Sequence, residues 1–383
     1  MRILVGGAVL EPGWRGGETP ISNALVAGLR GRGADVVTLS QGRSRADLAA
    51  MGVTPFDLDP LALRRYEAVF RREKPDVILG FYDYDSSLAH VATRLGIPYV
   101  AAIHIHWPVC PIGTQFLESE GPCRGPSFGR CVAHMGRVPV LTHLGPGEAP
   151  LPAILALLVY AKFRTRHRLL SQSTAFVVPG RWMKPFLESR GFENVHVVSN
   201  AIDPEEFPFT PWEGQQKSIL YASGSVREGK GWPDYLELAR RVRVTHPDVR
   251  FRATGYGGDD VVDGVPRLGR AAFVAEMQRT YALAVPALWQ EPFGMIALEA
   301  MSAGRPVVAY ASGALPEVVE NGRDGLLVAP GDRSALVEAT TRLLDDPKLA
   351  AEMGRHGRQR AVEEFTLDRM IDGYLAVAKS VVR

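Results

Sequence analysis

Short, almost wholly apolar runs alternate along the chain with longer segments whose apolar residues recur every three or four positions. RILVGGAV is the first such run and is broken by its paired glycines. In TPISNALVAGLRGRG the residues Ile21, Leu25 and Leu29 share one helical face, and ADVVTLS is apolar again. A change of period from strand to helix and back is the mark of a strand–helix–strand unit. The alternation continues through PDVILGFY, the helical SSLAHVATRLG, the strand IPYVAAIHIH, the strand AFVVPG, a helix carrying Met183 and Leu187, and VHVVSNAID. Strands that read as continuous apolar runs between helices predict a parallel, doubly wound α/β sheet.

Around NAIDPEEFPFTPWEGQQK the periodicity stops and prolines and acidic residues gather, which predicts a domain boundary. A second alternating set follows. Its strands are SILYASGSV, VRFRATG, LAVPAL, RPVVAYAS and DGLLVAP, and its helices include PDYLELARRVR, AAFVAEMQRTY and PFGMIALEAMSAG. Further helices are expected from near Ser334 and Asp346. The expected organisation is a domain over 1–200 and a second over 201–365, with a terminal helix in 366–383 packing back on the first. Two Rossmann-like domains facing across a cleft would hold a ligand outside the carboxyl ends of both sheets.

The 383-residue length supports two domains, and 46% hydrophobic with 22% charged residues is ordinary for a globular chain. A net charge of +2, from 44 basic and 42 acidic residues, gives no electrostatic case for nucleic acid as the main partner. The opening MRILVGGAVLEPGW lacks the long apolar region and small-residue cleavage site of a secretory signal, so a cytoplasmic location is expected. Three cysteines, an odd number, fit a reducing compartment better than a disulfide framework.

The most informative stretch is QEPFGMIALEAMSAGRPVV, which holds Glu291 and Glu299. Pro292 and Gly294 place Glu291 on a loop, while Ile296 to Met301 can open a helix whose N-terminal amides, from Gly294 to Ile296, form an anion site. Eight helical steps span roughly 12 Å at about 1.5 Å per residue, too far for the two carboxylates to flank one glycosidic bond as in a hydrolase. They could instead grip two ends of a nucleoside diphosphate sugar.

Together with the following ALPEVVENGRDGLLVAPGD, this stretch resembles the signature region of the family 4 retaining glycosyltransferases, which adopt the GT-B fold. The resemblance implies that Glu291 meets sugar hydroxyls and that amides around Phe293, Gly294, Met295 and Ile296 meet sugar and phosphate. Glu299 would hold the ribose hydroxyls. PGWRGGETPISNALVAGLRGRGADVV is similar to the family's glycine loop, which carries Gly16 and Gly17 over as donor-phosphate contacts. ASGSVREGKGW resembles the loop that presents an arginine and a lysine to the diphosphate. Lys230 matches the lysine, but Ser225 stands at the arginine position, with Arg227 two residues on as a replacement cation. AAIHIHWPVCPIGT is similar to a subgroup pattern that turns a histidine toward the donor sugar. His104 matches that histidine, whereas Ile105 and His106 depart from the pattern. A histidine ending a buried strand can also be a satisfied core residue, but His104 is the expected contact of the first domain with the donor sugar.

The activity implied is retaining transfer of a sugar from a UDP- or GDP-linked donor to a glycan, small-molecule or lipid-linked hydroxyl acceptor. It needs no metal or organic cofactor for catalysis and no dedicated carboxylate base. A GT-B nucleotide-sugar epimerase and a non-catalytic nucleotide-binding module are the alternatives. A nicotinamide dehydrogenase is disfavoured, because neither half shows the glycine fingerprint followed by an acidic residue at ribose distance.

Two further features stand outside that frame. Cys110, Cys123, Cys131 and His134 have residue types that suit a tetrahedral structural zinc, with ordinary free thiols as the competing reading. LPAILALLVYAKFRTRHRLL joins an apolar run too short to span a bilayer to Lys162, Arg164, Arg166, His167 and Arg168. Such a segment can lie on an anionic membrane surface, or pack on the N-terminal domain with a solvated basic end.

Overall fold

The computed structural model describes residues 1–7, 19–40, 60–81, 86–117, 120–136, 153–212, 214, 216–223 and 227–382. The chain divides into two compact units. The first comprises Met1–Gln115, Cys123–Ser199 and Leu367–Arg383, and the second Phe116–Pro122 and Asn200–Thr366.

In the first unit β1 (Arg2–Gly7), β2 (Asp35–Ser40), β3 (Val77–Phe81), β4 (Tyr99–Ala102), β7 (Ala175–Val178) and β8 (Val195–Val197) form one sheet in the order β2-β1-β3-β4-β7-β8. Every pairing in it is parallel. β3, β4 and β7 are buried along their whole length, as strands covered by helices on both faces must be. Ile21, Leu25 and Leu29 turn the inner face of helix Thr19–Gly31 onto this core and are essentially inaccessible. The same helix packs against the terminal helix Leu367–Val381, where Arg32 reaches Asp368 at 2.7 Å.

The second unit repeats the plan with β9 (Ser218–Tyr221), β10 (Arg250–Thr254), β11 (Asp263–Val265), β12 (Ala282–Val285), β13 (Val307–Tyr310) and β14 (Gly325–Val328). Their order is β11-β10-β9-β12-β13-β14, all parallel. Strand order reverses between β9 and β12, which opens a crevice at their carboxyl ends. Asp332 and Asp346 cap the helices Arg333–Asp345 and Pro347–Glu364 by accepting from backbone amides of their first turns.

A two-stranded hairpin, β5 (Phe116–Leu117) with β6 (Gly121–Pro122), follows β4 without any periodic signal in the sequence. The basic segment becomes the helix Ala153–Leu170, and its charges do not all face solvent. Lys162 and Arg166, one turn apart, are buried with Phe163, Leu169 and Leu170, and Arg166 lies 4.8 Å from the centre of the Trp107 ring. Arg164 and Arg168 are exposed. Among the described residues no helix is long and apolar enough to cross a membrane.

Candidate functional site

Two loops meet at the crevice of the second unit. One follows β9 and ends in a single 3-10 turn, Glu228–Lys230; the other follows β12 and runs into helix Met295–Ser302. They are tied through the backbone, since Leu288 and Trp289 donate to the Gly229 carbonyl at 3.0 and 2.9 Å. Gly231 closes the turn at φ +76°, and a Cβ there would lie 1.6 Å from the Pro286 carbonyl oxygen, so only glycine lets the loops approach this closely.

This approach joins Lys230 to Glu291. The lysine Nζ donates to Glu291 Oε1 at 2.6 Å and sits 3.6 Å from the centre of the Trp289 ring. The Trp289 indole N–H donates to the same carboxylate oxygen at 2.5 Å. A charge-assisted hydrogen bond and a cation–π contact together fix the ammonium in one place. Both charged side chains are mostly covered, at 24% and 11% exposed. The Glu291 carbonyl accepts from Ala314 at 2.9 Å, and Gly313 passes so close that a Cβ would meet Glu291 O at 2.2 Å.

Next to this pair, helix Met295–Ser302 begins at Gly294, which takes its N-cap position. The positive end of the helix and the Lys230 ammonium both favour an anion, while the Glu291 carboxylate offers acceptors to hydroxyl groups. Phe293 is buried and packs edge-on to Phe365, so its ring belongs to the core and only its backbone is available to a ligand. Met295 and Ile296 are half-buried.

Glu299 projects from the same helix and is 4% exposed. It accepts from Arg270 Nη1 at 2.5 Å, while Glu206 takes Arg270 in a bidentate pair at 2.5 and 2.8 Å. Burial pushes the Glu299 carboxyl above its ordinary range and Arg270 pulls it partly back. Burial also works against the charge on Arg270, but the two glutamates more than offset it and hold the guanidinium above its ordinary value.

The structure thus brings Lys230 and Glu291 into contact and places Phe293, Gly294, Met295, Ile296 and Glu299 along one loop and helix. Arg227 starts the 3-10 turn, and its carbonyl accepts from the Lys230 and Trp232 amides, each at 3.1 Å. Gly16, Gly17 and Ser225 lie outside the described residues. Sequence reasoning missed three participants. Trp289 stands immediately before the signature stretch, Glu206 was read only as part of a boundary, and nothing in the pattern pointed to Arg270.

His104 belongs to the first unit, just past β4, and is 5% exposed. Its ring stacks on Phe81 at 5.7 Å, and Nε2 lies 3.3 Å from the Tyr374 hydroxyl. Burial lowers its pKa from 6.5 to about 4, so the imidazole is neutral near pH 7. A depressed pKa contributes stability that is fully present above the unfolded value and is lost as pH falls from there through the folded one. Between pH 7 and 5 this one residue is expected to remove about 2 kcal/mol of stability. Urea unfolding at the two pH values, compared with His104→Asn, checks it; an unaltered pH slope in the variant would contradict a buried neutral imidazole.

The expected zinc ligands are not assembled. Among the described residues no group of three or more His, Cys, Asp or Glu side chains is placed to hold a metal ion. The Cys110 sulfur accepts from the Gln115 amide at 3.4 Å, and the Cys123 thiol donates to the Gly125 carbonyl at 3.4 Å. Burial raises the Cys110 thiol and pushes Cys131 up to about 11.

Residues 203–360 match the family model described as Glycosyl transferases group 1, and residues 22–206 match that of Glycosyltransferase Family 4. The chain is 33% identical over 192 residues to a glycogen synthase of Mycobacterium tuberculosis, covering 46% of each chain. It is 31% identical over 206 residues to an MMP alpha-(1->4)-mannosyltransferase of Mycolicibacterium hassiacum, covering 50% of this chain and 49% of that one. The matches span about half the length of these curated relatives. A solved sucrose-phosphate synthase from Thermosynechococcus elongatus superposes with a TM-score of 0.67 at 17% identity, covering 99% of this chain and 98% of that one.

Proposed function

We propose, from the premise that the chain belongs to the family 4 glycosyltransferases and has the GT-B fold, that it is a retaining enzyme using a UDP- or GDP-linked sugar. The acceptor is a hydroxyl group of a glycan, a small molecule or a lipid-linked sugar. The observation that carries this reading is the Lys230–Glu291 pair beside the N-terminus of helix Met295–Ser302, at the point where strand order reverses.

In this reading the diphosphate lies against the Gly294–Ile296 amides and draws the Lys230 ammonium toward it. Glu291 turns its acceptors to the sugar hydroxyls, and Glu299 takes the ribose hydroxyls. The bond between the anomeric carbon and the phosphate oxygen breaks as the acceptor oxygen bonds to the same face. The acceptor proton passes to the departing phosphate, so no carboxylate base is required. Lys230 and the helix amides stabilise charge growing on the diphosphate, and held geometry supplies much of the remaining acceleration.

Incubation with a panel of UDP- and GDP-sugars and hydroxyl acceptors, followed by mass spectrometry and NMR of the anomeric centre, tests the reading. Acceptor-dependent nucleotide release with retained configuration is expected. Release or sugar isomerisation that ignores the acceptor would move the chain to the epimerases, and an inverted product would remove the same-face step.

A further inference from the structure

A concavity of about 380 Å³ in the first unit is lined by Arg124, Gly125, Phe163, Arg164, His167 and Arg190, together with Pro126 and Ser189. It is built from the segment after β6, one face of helix Ala153–Leu170 and the end of helix Met183–Glu188. Three guanidinium groups and an imidazole line it, and among the described residues no carboxylate does.

Arg190 is held rigidly. Its Nη1 donates to the Phe186 carbonyl and to Ser189 Oγ, both at 2.9 Å, and its guanidinium lies 3.7 Å from the centre of the Phe186 ring. Its Nε is buried and has no hydrogen-bond partner among the described residues. Burial lowers the Arg190 pKa, and the acidic group that pulls against this is the Cys123 thiol rather than a carboxylate. Arg124 and Arg164 are exposed and take part in no ion pair among the described residues. A half-buried cation with no counter-ion among the described residues, and with two like charges beside it, is favoured by an entering anion.

We infer that this concavity binds a phosphate monoester, with Arg164 and Arg190 on the phosphate oxygens, Arg124 at the rim and the organic part against Pro126 and Phe163. Arginine forks match phosphate geometry, and three of them suit a dianion better than a single carboxylate. The volume is that of a small-metabolite pocket. None of the residues assigned to the nucleotide sugar lines it, so the inference stands whether or not that assignment holds. The phosphate could come from a soluble metabolite or from a lipid headgroup.

Titration of the full chain with glycerol 3-phosphate, read by the carbon-13 signal of the His167 ring, tests it site-specifically, with His167→Gln giving the assignment. A saturable shift is expected that persists in Lys230→Ala, which separates it from phosphate bound at the donor site. Arg164→Glu, at an exposed position, is expected to weaken binding at least about tenfold, and Arg164→Lys less. Co-sedimentation with phosphatidylcholine vesicles, with and without phosphatidic acid, identifies the source. Arg164-dependent binding only to the phosphatidic acid vesicles assigns a headgroup, and an Arg164-dependent shift with glycerol 3-phosphate assigns a soluble ester. Absence of both, or equal affinity in Arg164→Glu, would overturn the proposal.

Discussion

Replacing Glu291 with glutamine is expected to lower kcat by about 10²–10³-fold while nucleotide affinity changes by no more than about threefold. In the structure Glu291 Oε1 accepts from both Lys230, at 2.6 Å, and the Trp289 indole, at 2.5 Å. Glutamine keeps the shape and one acceptor oxygen but removes the negative charge that meets the sugar hydroxyls in the proposed complex. Contacts to the transferring sugar matter most as positive charge grows at its anomeric carbon, so their loss should fall on turnover more than on binding. Lys230 loses its counter-charge but keeps the Trp289 ring, 3.6 Å away, and remains able to meet a diphosphate. Steady-state kinetics beside calorimetric titration with UDP or GDP separates the two effects. A raised KM with kcat preserved would mean that Glu291 only holds the donor, equally in ground and transition states.

The parts of this site that the sequence exposed are those that ride on periodic elements. Alternating strands and helices placed one loop after β9 and another after β12, and the helix beginning near Gly294 followed from the break made by Pro292 and the apolar spacing after it. What could not be read is contact between segments distant in sequence. Lys230 and Glu291 are joined across a turn whose approach depends on Gly231 against Pro286, and neither glycine nor proline there announces its partner. Arg270 sits at the start of an ordinary helix, and only the folded sheet brings it between Glu206 and Glu299. The hairpin of β5 and β6 has strands of two residues, too short for any period to show. Cys110, Cys123, Cys131 and His134 show the converse: residue type and spacing allowed a zinc set, but among the described residues they form no group placed to hold a metal, and the three cysteines are free thiols.

Glu299→Ala is expected to reduce affinity for the nucleotide by about 10²-fold, with kcat at saturating donor changed far less. A carboxylate accepting from two ribose hydroxyls makes two charge-assisted hydrogen bonds, each worth about 1.5–3 kcal/mol net of exchange with water, so that two at the lower end amount to about 10²-fold. The variant also leaves Arg270 with Glu206, its bidentate partner at 2.5 and 2.8 Å, so the cation is still compensated and the fold should be kept. Arg270→Ala separates the ribose contact from the ion pair. There Glu299 stays in place, 4% exposed, but without its counter-charge. Stability should fall by about 2 kcal/mol, below the usual range for a broken buried pair because the Arg270 side chain is 35% exposed and screened by water. Its carboxyl, already raised by burial, would then protonate at still higher pH. A protonated acid offers the ribose fewer acceptors, so nucleotide affinity in Arg270→Ala should weaken as pH falls, whereas Glu299→Ala should show no such dependence from this position. Titrations with UDP and GDP across pH, beside urea unfolding of both variants, measure each effect. Equal affinity in Glu299→Ala and the parent would remove Glu299 from the nucleotide site and leave it as the partner of Arg270 alone.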